Sequence, residues 1–353
     1  MGYKSIMNLV LRRAAGFLLL FSIAAAGEPQ QVPNALGPVG PLGHWKGDDG
    51  EAPKTAVDSS GNGFNGTYSA QGASMSTTVA ALKFPNTGSI NLDGNTGMIT
   101  IPDSPALRIT GDFTISFWKR KTANAKDWTR MVGKGNGGQR NYGVWEAPEG
   151  DGRILFQMYG PTGQSVIDLW SNAPIPINTW AHILCTVSVN SVAMYINGQP
   201  MGNGVRTGEP GTAPDPLTFG HAGYHGFWPG QLDDIRIYNR ALSMSEVAYL
   251  AAGNGPPVAP TQLASTAATA QFVSVKWTAS VTPAPAGTVT YYILKRSTTQ
   301  GKDYAAVASM LSGTTCIDPK VEPGKTYYYV VTALNTGGES IASNEVMVAT
   351  AAQ

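Results

Sequence analysis

Two clusters of side chains in this sequence have the types and the spacing to do chemistry. The first is Asp58-Ser-Ser60-Gly-Asn62-Gly63, with oxygen-bearing side chains at alternate positions and a glycine to turn the chain. Such a loop can wrap a hard cation such as calcium. An EF-hand would need a glutamate at the twelfth position, and Ser69 stands there. The alternative is an Asx turn, in which Asp58 bonds the amides of its own loop. The second cluster runs from His221 to Gly230 and holds Tyr224, His225, Phe227 and Trp228. Tyr224, Phe227 and Trp228, with His225 among them, make a candidate stacking platform for a sugar. Flat rings match the C–H face of a pyranose, and polar tips can reach its hydroxyls. The alternative is that these rings plug the edge of a sandwich. His221 and His225 would suit zinc on a helix, but Gly223 and Gly226 argue against that helix.

Motifs for catalysis are not legible. A retaining glycosidase needs two carboxylates about 5 Å apart, which on one strand means acidic residues at alternate positions. The nearest string, Glu146-Ala-Pro-Glu149-Gly-Asp151, reads as a solvated Pro/Gly turn. No G-x-S-x-G elbow, H-E-x-x-H pair or P-loop occurs. The expectation is a protein that is not an enzyme. Trp118 and Trp180 alternate with apolar residues and read as packing. Trp128 and Trp145 sit in polar, glycine-rich surroundings and are weaker binding candidates.

The elements that must position these residues are strands. The chain has 353 residues, 24 Lys+Arg, 23 Asp+Glu and a formal charge of +1. Charged residues make up 13%, against roughly 25% in an average globular protein. With 42 glycines and 24 prolines, this points to an all-β secreted protein. The near-neutral balance excludes nucleic-acid binding driven by a basic surface. Cys185 and Cys316 are too few for a disulfide scaffold or a cysteine zinc site and read as free thiols. Phe113–Trp118 alternates apolar and polar residues. So does Ile183–Val189, and Asn197-Gly198 then signals a hairpin. Leu232–Tyr238 is a further strand. One helix is expected near Ser243–Ala252, with Ser243 and Glu246 forming a capping box.

Residues 1–26 read as a signal peptide: Lys4, Arg12 and Arg13, an apolar run from Ala14, and Ala24-Ala25-Ala26 as the cleavage site. An uncleaved anchor is the alternative. A linker is expected over 27–37, a first domain over 38–252, a Pro/Gly linker over 253–258 and a second domain over 259–351. No membrane span is expected in the mature chain. The protein is therefore expected outside the cell or in its envelope.

Four segments together resemble the laminin-G-like jelly roll of the concanavalin A-like lectin/glucanase superfamily. They are Gly43-His-Trp-Lys46 with Asp48 and the Asp58–Thr67 loop; Gly111–Trp118; Thr179–His182 with Tyr195–Gly198; and Leu232–Ser243. The resemblance implies a jelly-roll sandwich. It also implies one structural calcium between the first loop and the last strand. Matched by position, Asp48 and Asp233 would supply carboxylates, with Asp58 and Asn62 in the surrounding loop. Asp233 and Asp234 are adjacent, so without a bulge only one can face such a site. The remainder resembles a fibronectin type III domain, an immunoglobulin-like sandwich. Trp277 stands for its core tryptophan and Tyr327 for its tyrosine corner. The function expected is non-catalytic recognition of a glycan, or of another extracellular or cell-surface ligand such as a protein. A structural or adhesive envelope protein without a small-ligand site is the alternative, and a glycoside hydrolase the third reading.

Overall fold

The computed structural model describes residues 40–137, 140–189, 191–280 and 289–353. The expected leader (1–26) and first linker (27–37) lie outside the described residues.

Alternation of side chains builds the first sandwich. Along the strand Phe113–Lys121, Phe113, Ile115 and Phe117 enter the core, and Thr114, Ser116 and Trp118 take the opposite face. This strand lies between Ala181–Val187 and Pro229–Tyr238 in an eight-stranded antiparallel sheet. A second eight-stranded sheet packs over it, with Ser165–Trp170, Ile154–Tyr159, Tyr142–Glu146 and Thr129–Lys134 adjacent in that order at one end. Aliphatic and aromatic residues of both sheets fill one shared core.

The helix Met244–Ala251 follows the last strand and carries the expected capping box. Ser243 Oγ accepts from the Glu246 amide, and the Glu246 carboxylate accepts from the Ser243 amide. Val247, Tyr249 and Leu250 bury against Leu184, Tyr195 and Tyr238 on the outer face of the first sheet.

The second sandwich has a three-stranded and a five-stranded sheet. Trp277 and Tyr292 meet edge to face in its core at 5.5 Å. The Tyr327 hydroxyl accepts from the Glu322 amide at 3.0 Å, which ties the turn to the strand Thr326–Asn335.

The two sandwiches touch. Tyr238 Oη donates to the Thr336 carbonyl at 2.8 Å, and Asn335 Nδ2 donates to Tyr249 Oη at 2.9 Å. Tyr249 Oη donates in turn to the Gly255 carbonyl at 2.6 Å. A methyl on Gly337 would lie 2.3 Å from that same carbonyl oxygen, so only glycine allows this approach. Gly253, Gly255 and Pro257 of the 253–258 stretch are buried in the contact. This stretch is a packed junction rather than a free spacer.

Candidate functional site

The outer face of the second sheet carries an aromatic cluster of Trp128, Trp145, Trp170 and Tyr224. Tyr142, Val144 and Glu146 point inward, so Gly143 and Trp145 point out. Leu155, Gln157 and Tyr159 do the same on the next strand, and Asp168 and Trp170 on the one after. Register aligns Arg130, Trp145, Leu155 and Trp170 in one row across four strands. Gly143, Gln157 and Asp168 form the row beside it. Gly143 is required there, because a methyl would lie 2.7 Å from Trp145 Nε1.

Two loops close over this row. Gly226 N donates to the Trp128 carbonyl at 2.9 Å, which holds the 221–228 loop against the strand start at Thr129. Tyr224 and His225 then lie 6.0 Å from Trp145, and Trp128 meets Trp170 at 5.5 Å. His225 adopts φ +63, a left-handed turn that carries its ring to the edge of the site. Arg140 stands over Trp145, Tyr159 and Tyr224 at 5.0, 4.6 and 5.4 Å. Between these groups lies a cavity of about 160 Å³ lined by Trp128, Arg140, Trp145, Leu155, Gln157 and His225. Arg130, 5.5 Å from the Trp145 ring, lines a larger pocket of about 370 Å³ with Thr100, Asn136, Thr218, His221 and Phe227 in its wall. The larger space has fewer rings; the smaller one has the flat faces and polar tips that sugar stacking needs.

The electrostatics are one-sided. Arg130 is buried, and among the described residues its guanidinium donates to neutral oxygens: the Gly135 and His221 carbonyls and Thr218 Oγ1. Burial lowers its pKa to about 10, so it stays charged. Arg140 donates to the Gly137 carbonyl and Gln157 Oε1. Burial raises the Tyr224 phenol, against the pull of the Arg140 and Arg130 guanidiniums.

Residues 93–248 match the family model described as the concanavalin A-like lectin/glucanases superfamily, and residues 258–349 match the fibronectin type III domain. The first sandwich is a concanavalin A-like domain, and the second is a fibronectin type III domain. A comparison with curated proteins gave no match. Among solved structures, the chain is similar to domain 4 of an extracellular arabinanase from Geobacillus stearothermophilus in complex with arabinotriose. That likeness has 22% identity and a TM-score of 0.48, covering 60% of this chain and 98% of the other. A Trypanosoma rangeli sialidase in complex with the inhibitor DANA has 16% identity and a TM-score of 0.45 over 60% of this chain, which spans only 32% of the sialidase. An Fn3-like protein from Clostridium thermocellum has 31% identity and a TM-score of 0.23, covering 26% of this chain and 92% of that one.

The concanavalin A-like domain divides the predicted platform three ways. Tyr224 and His225 join the aromatic face. Phe227 stacks on His221 at 3.8 Å in the neighbouring pocket. Trp228 is fully buried and belongs to the core, where its indole N–H donates to Glu146 Oε2 at 2.9 Å. The platform therefore loses Trp228. Its place is taken by the half-buried Trp128 and Trp170, which the sequence offered only weakly or not at all, packed on Trp145, which is itself 2% exposed.

Glu146 also departs from expectation. It is no solvated turn residue but a fully buried carboxylate between the sheets. Lys121 Nζ lies 3.0 Å from it and Lys119 Nζ 3.5 Å, both buried as well. Burial lowers the Lys119 ammonium pKa, and the Glu146 charge opposes that shift.

The predicted calcium residues separate into two places. Asp58 spends both oxygens on its own surroundings: the His44, Ser60 and Phe64 amides and Ser60 Oγ, at 2.8–3.0 Å. It is the hub of an Asx-type turn, with no oxygen free for a shell. Asn62 Nδ2 donates to the Leu42 carbonyl. Asp48 and Asp233 instead hold neighbouring points of one segment. Asp48 accepts from the Thr87 and Gly88 amides, and Asp233 Oδ2 from Asn86 Nδ2 and the Ala80 amide. Asp233 Oδ1 is buried without a partner, and burial raises that carboxyl to about 7, with the Asp234 and Asp48 charges adding to the rise. An orphaned hard oxygen beside a second carboxylate fits calcium. Among the described residues no three His, Cys, Asp or Glu side chains converge as a shell, so carbonyls and water would have to complete it.

A bulge separates the two adjacent aspartates. Asp234 has φ +50, the pairing register shifts between Asp233 and Arg236, and both carboxylates end up buried. Asp234 binds His44 Nε2 at 2.8 Å and Arg236 Nη1 at 2.9 Å. Nearby, Ser116 Oγ and His182 Nε2 lie 2.8 Å apart. Burial lowers the His44 and His182 pKa values to about 4 and about 3, helped by the Arg236 charge.

Proposed function

We propose that this is a secreted, non-catalytic recognition protein that binds a glycan on the outer sheet face of its concanavalin A-like domain. One observation carries the reading. Trp145 and Trp128 line one cavity with arginine, glutamine and histidine tips, and Trp170, Tyr224 and Tyr159 pack against these lining groups. Rings for the apolar sugar face and donors for its hydroxyls are what a carbohydrate site needs. Recognition without hydrolysis is supported by the acidic groups at the site. Asp127 pairs with His225, Asp168 accepts from Gln157, and Glu146 is buried on the other side of the sheet. Calcium held by Asp48 and Asp233 would be structural, lying against the 80–88 segment away from the rings.

The test is a glycan-array screen of the protein with its leader removed, followed by titration calorimetry on the best ligand. Binding weakened by Tyr224→Ala, without release of reducing ends, supports the reading. An array without a hit would favour the structural or adhesive alternative. Hydrolysis lost on changing one acidic residue would make the protein an enzyme.

A further inference from the structure

Resting on the glycan reading above, we infer that the bound sugar is anionic. A carboxylate or sulfate ester on the ring is received by Arg140 together with the unpartnered donors of Trp145 and Arg130.

Three observations carry this. First, Arg130 and Arg140 both reach this face, and neither is bonded to a carboxylate among the described residues. Each is held by neutral oxygens, so the positive charge is positioned but not neutralised. A guanidinium carries five N–H donors. Among the described residues two hydrogen bonds hold Arg140, one through Nε and one through Nη1, with the Tyr224 hydroxyl close by. Planar, charge-assisted pairing with a carboxylate or sulfate is what the remaining donors suit.

Second, buried donors are left over beside Arg140. Trp145 Nε1, in the wall of the small cavity, and Arg130 Nε, in the wall of the larger pocket and 5.5 Å from the Trp145 ring by its guanidinium, have no partner among the described residues, and both residues are buried to 2% exposure. The Tyr224 hydroxyl, beside Arg140, also meets no partner at hydrogen-bonding geometry. Such groups are costly unless something accepts from them. A ligand rich in acceptors and carrying negative charge satisfies donors and cations together.

Third, Asp127, Asp168 and Asp151 around the face are committed elsewhere. Asp127 accepts from the Trp128 amide and pairs with His225. Asp168 accepts from Gln157 Nε2, and Asp151 pairs with Arg153. Asp215 is the acidic residue whose charge acts on Arg130, from the wall of the larger pocket. None of them bonds to Arg140.

The experiment uses matched glycans. Immobilised uronate polysaccharides are compared with their carboxyl-reduced forms, and sulfated galactans with their desulfated forms. Calorimetry with the protein lacking residues 1–26 gives the affinities. The anionic member of at least one pair should bind about tenfold or more tightly than its neutral partner, as for a charge-assisted pair. The pair that discriminates identifies the carboxylate or the sulfate as the group received. Arg140→Ala and Arg140→Gln should bring the two members to within about threefold, whereas Tyr224→Ala should weaken both. Equal binding of anionic and neutral members would overturn this inference and leave the glycan reading standing. Binding of neither would overturn both. Discrimination that survives both Arg140 variants would remove Arg140 from the site.

Discussion

The indole N–H of Trp228 donates to Glu146 Oε2 at 2.9 Å, inside the concanavalin A-like domain. Trp228 follows a loop that reaches the aromatic outer face of the second sheet, while Glu146 ends the strand that carries Trp145 outward. The bond ties the base of that loop to the strand beneath it. Two buried lysines share the same carboxylate.

Removing that anion leaves two ammonium groups without a counter-charge in the core. Glu146→Gln should therefore destabilise the domain by about 3–5 kcal/mol, the usual cost of breaking a buried pair from one side. Trp228→Phe should cost less, because the ring volume is largely kept and one hydrogen bond is lost. Urea unfolding of the three proteins measures this order. A Glu146→Gln protein as stable as the parent would mean the lysines are neutral in the fold.

The division of the 221–228 loop predicts a separation of phenotypes. Tyr224→Ala should cost about 1–3 kcal/mol of glycan affinity with little loss of stability. Trp228→Ala should cost about 3–5 kcal/mol of stability. Thermal melts alongside binding titrations read both. A Trp228→Ala protein with an unchanged melt and reduced affinity would restore that ring to the binding surface.

Calcium should raise the melting temperature through Asp48 and Asp233. A ligand at a hundredfold excess over Kd that binds only the folded state stabilises it by about 2.7 kcal/mol. At about 2–4 °C per kcal/mol for a domain of this size, the rise over chelator is roughly 5–10 °C. Asp233→Asn should abolish the difference. Asp58→Asn should lower both melts and leave the difference intact, because Asp58 serves its own turn. Superimposable melts in calcium and in chelator would remove the metal.

Acid should weaken the fold through His44 and His182. Their folded pKa values, about 4 and about 3, lie below the unfolded value of roughly 6.5. The unfolded chain then takes up more protons, so stability rises from about pH 4 to about 6.5 and is fully present above that. For His44 the span is of the order of 3 kcal/mol. Asp233 acts in the opposite sense without calcium. Held at about 7, its proton favours the folded state, and that contribution is lost as pH rises from about 4 to 7. Denaturant midpoints across pH 4–8 should climb and then flatten. His44→Gln and His182→Gln should each reduce the climb, and an unchanged slope in both would refute the histidine account.

Much of the sandwich could be read from alternation. Phe113–Trp118 and Leu232–Tyr238 are strands, and the Ser243 cap starts the helix. The aromatic face is less legible. Trp145, Leu155 and Trp170 come together through register across three strands, and single-chain periodicity does not specify register. Glu146 was misread because Pro148 and Gly150 advertised a turn. Yet the inward alternation of Tyr142 and Val144 continues to it, and that was the available signal. For Asp58 the sequence offered turn or metal. Four nearby donors decided for the turn, and only folding brings the His44 and Phe64 amides within reach.

Asn335 and Thr336, seated against Tyr249 and Tyr238, remove a degree of freedom from the molecule. A hinge would let the lectin-like face swivel and search. A clamped joint couples the orientation of the type III domain to that of the aromatic face. Whatever anchors the type III domain therefore also fixes the direction in which the aromatic face points. Copies mounted side by side would present their faces in parallel. Clasping an extended polymer at several points would then cost little extra orientational entropy.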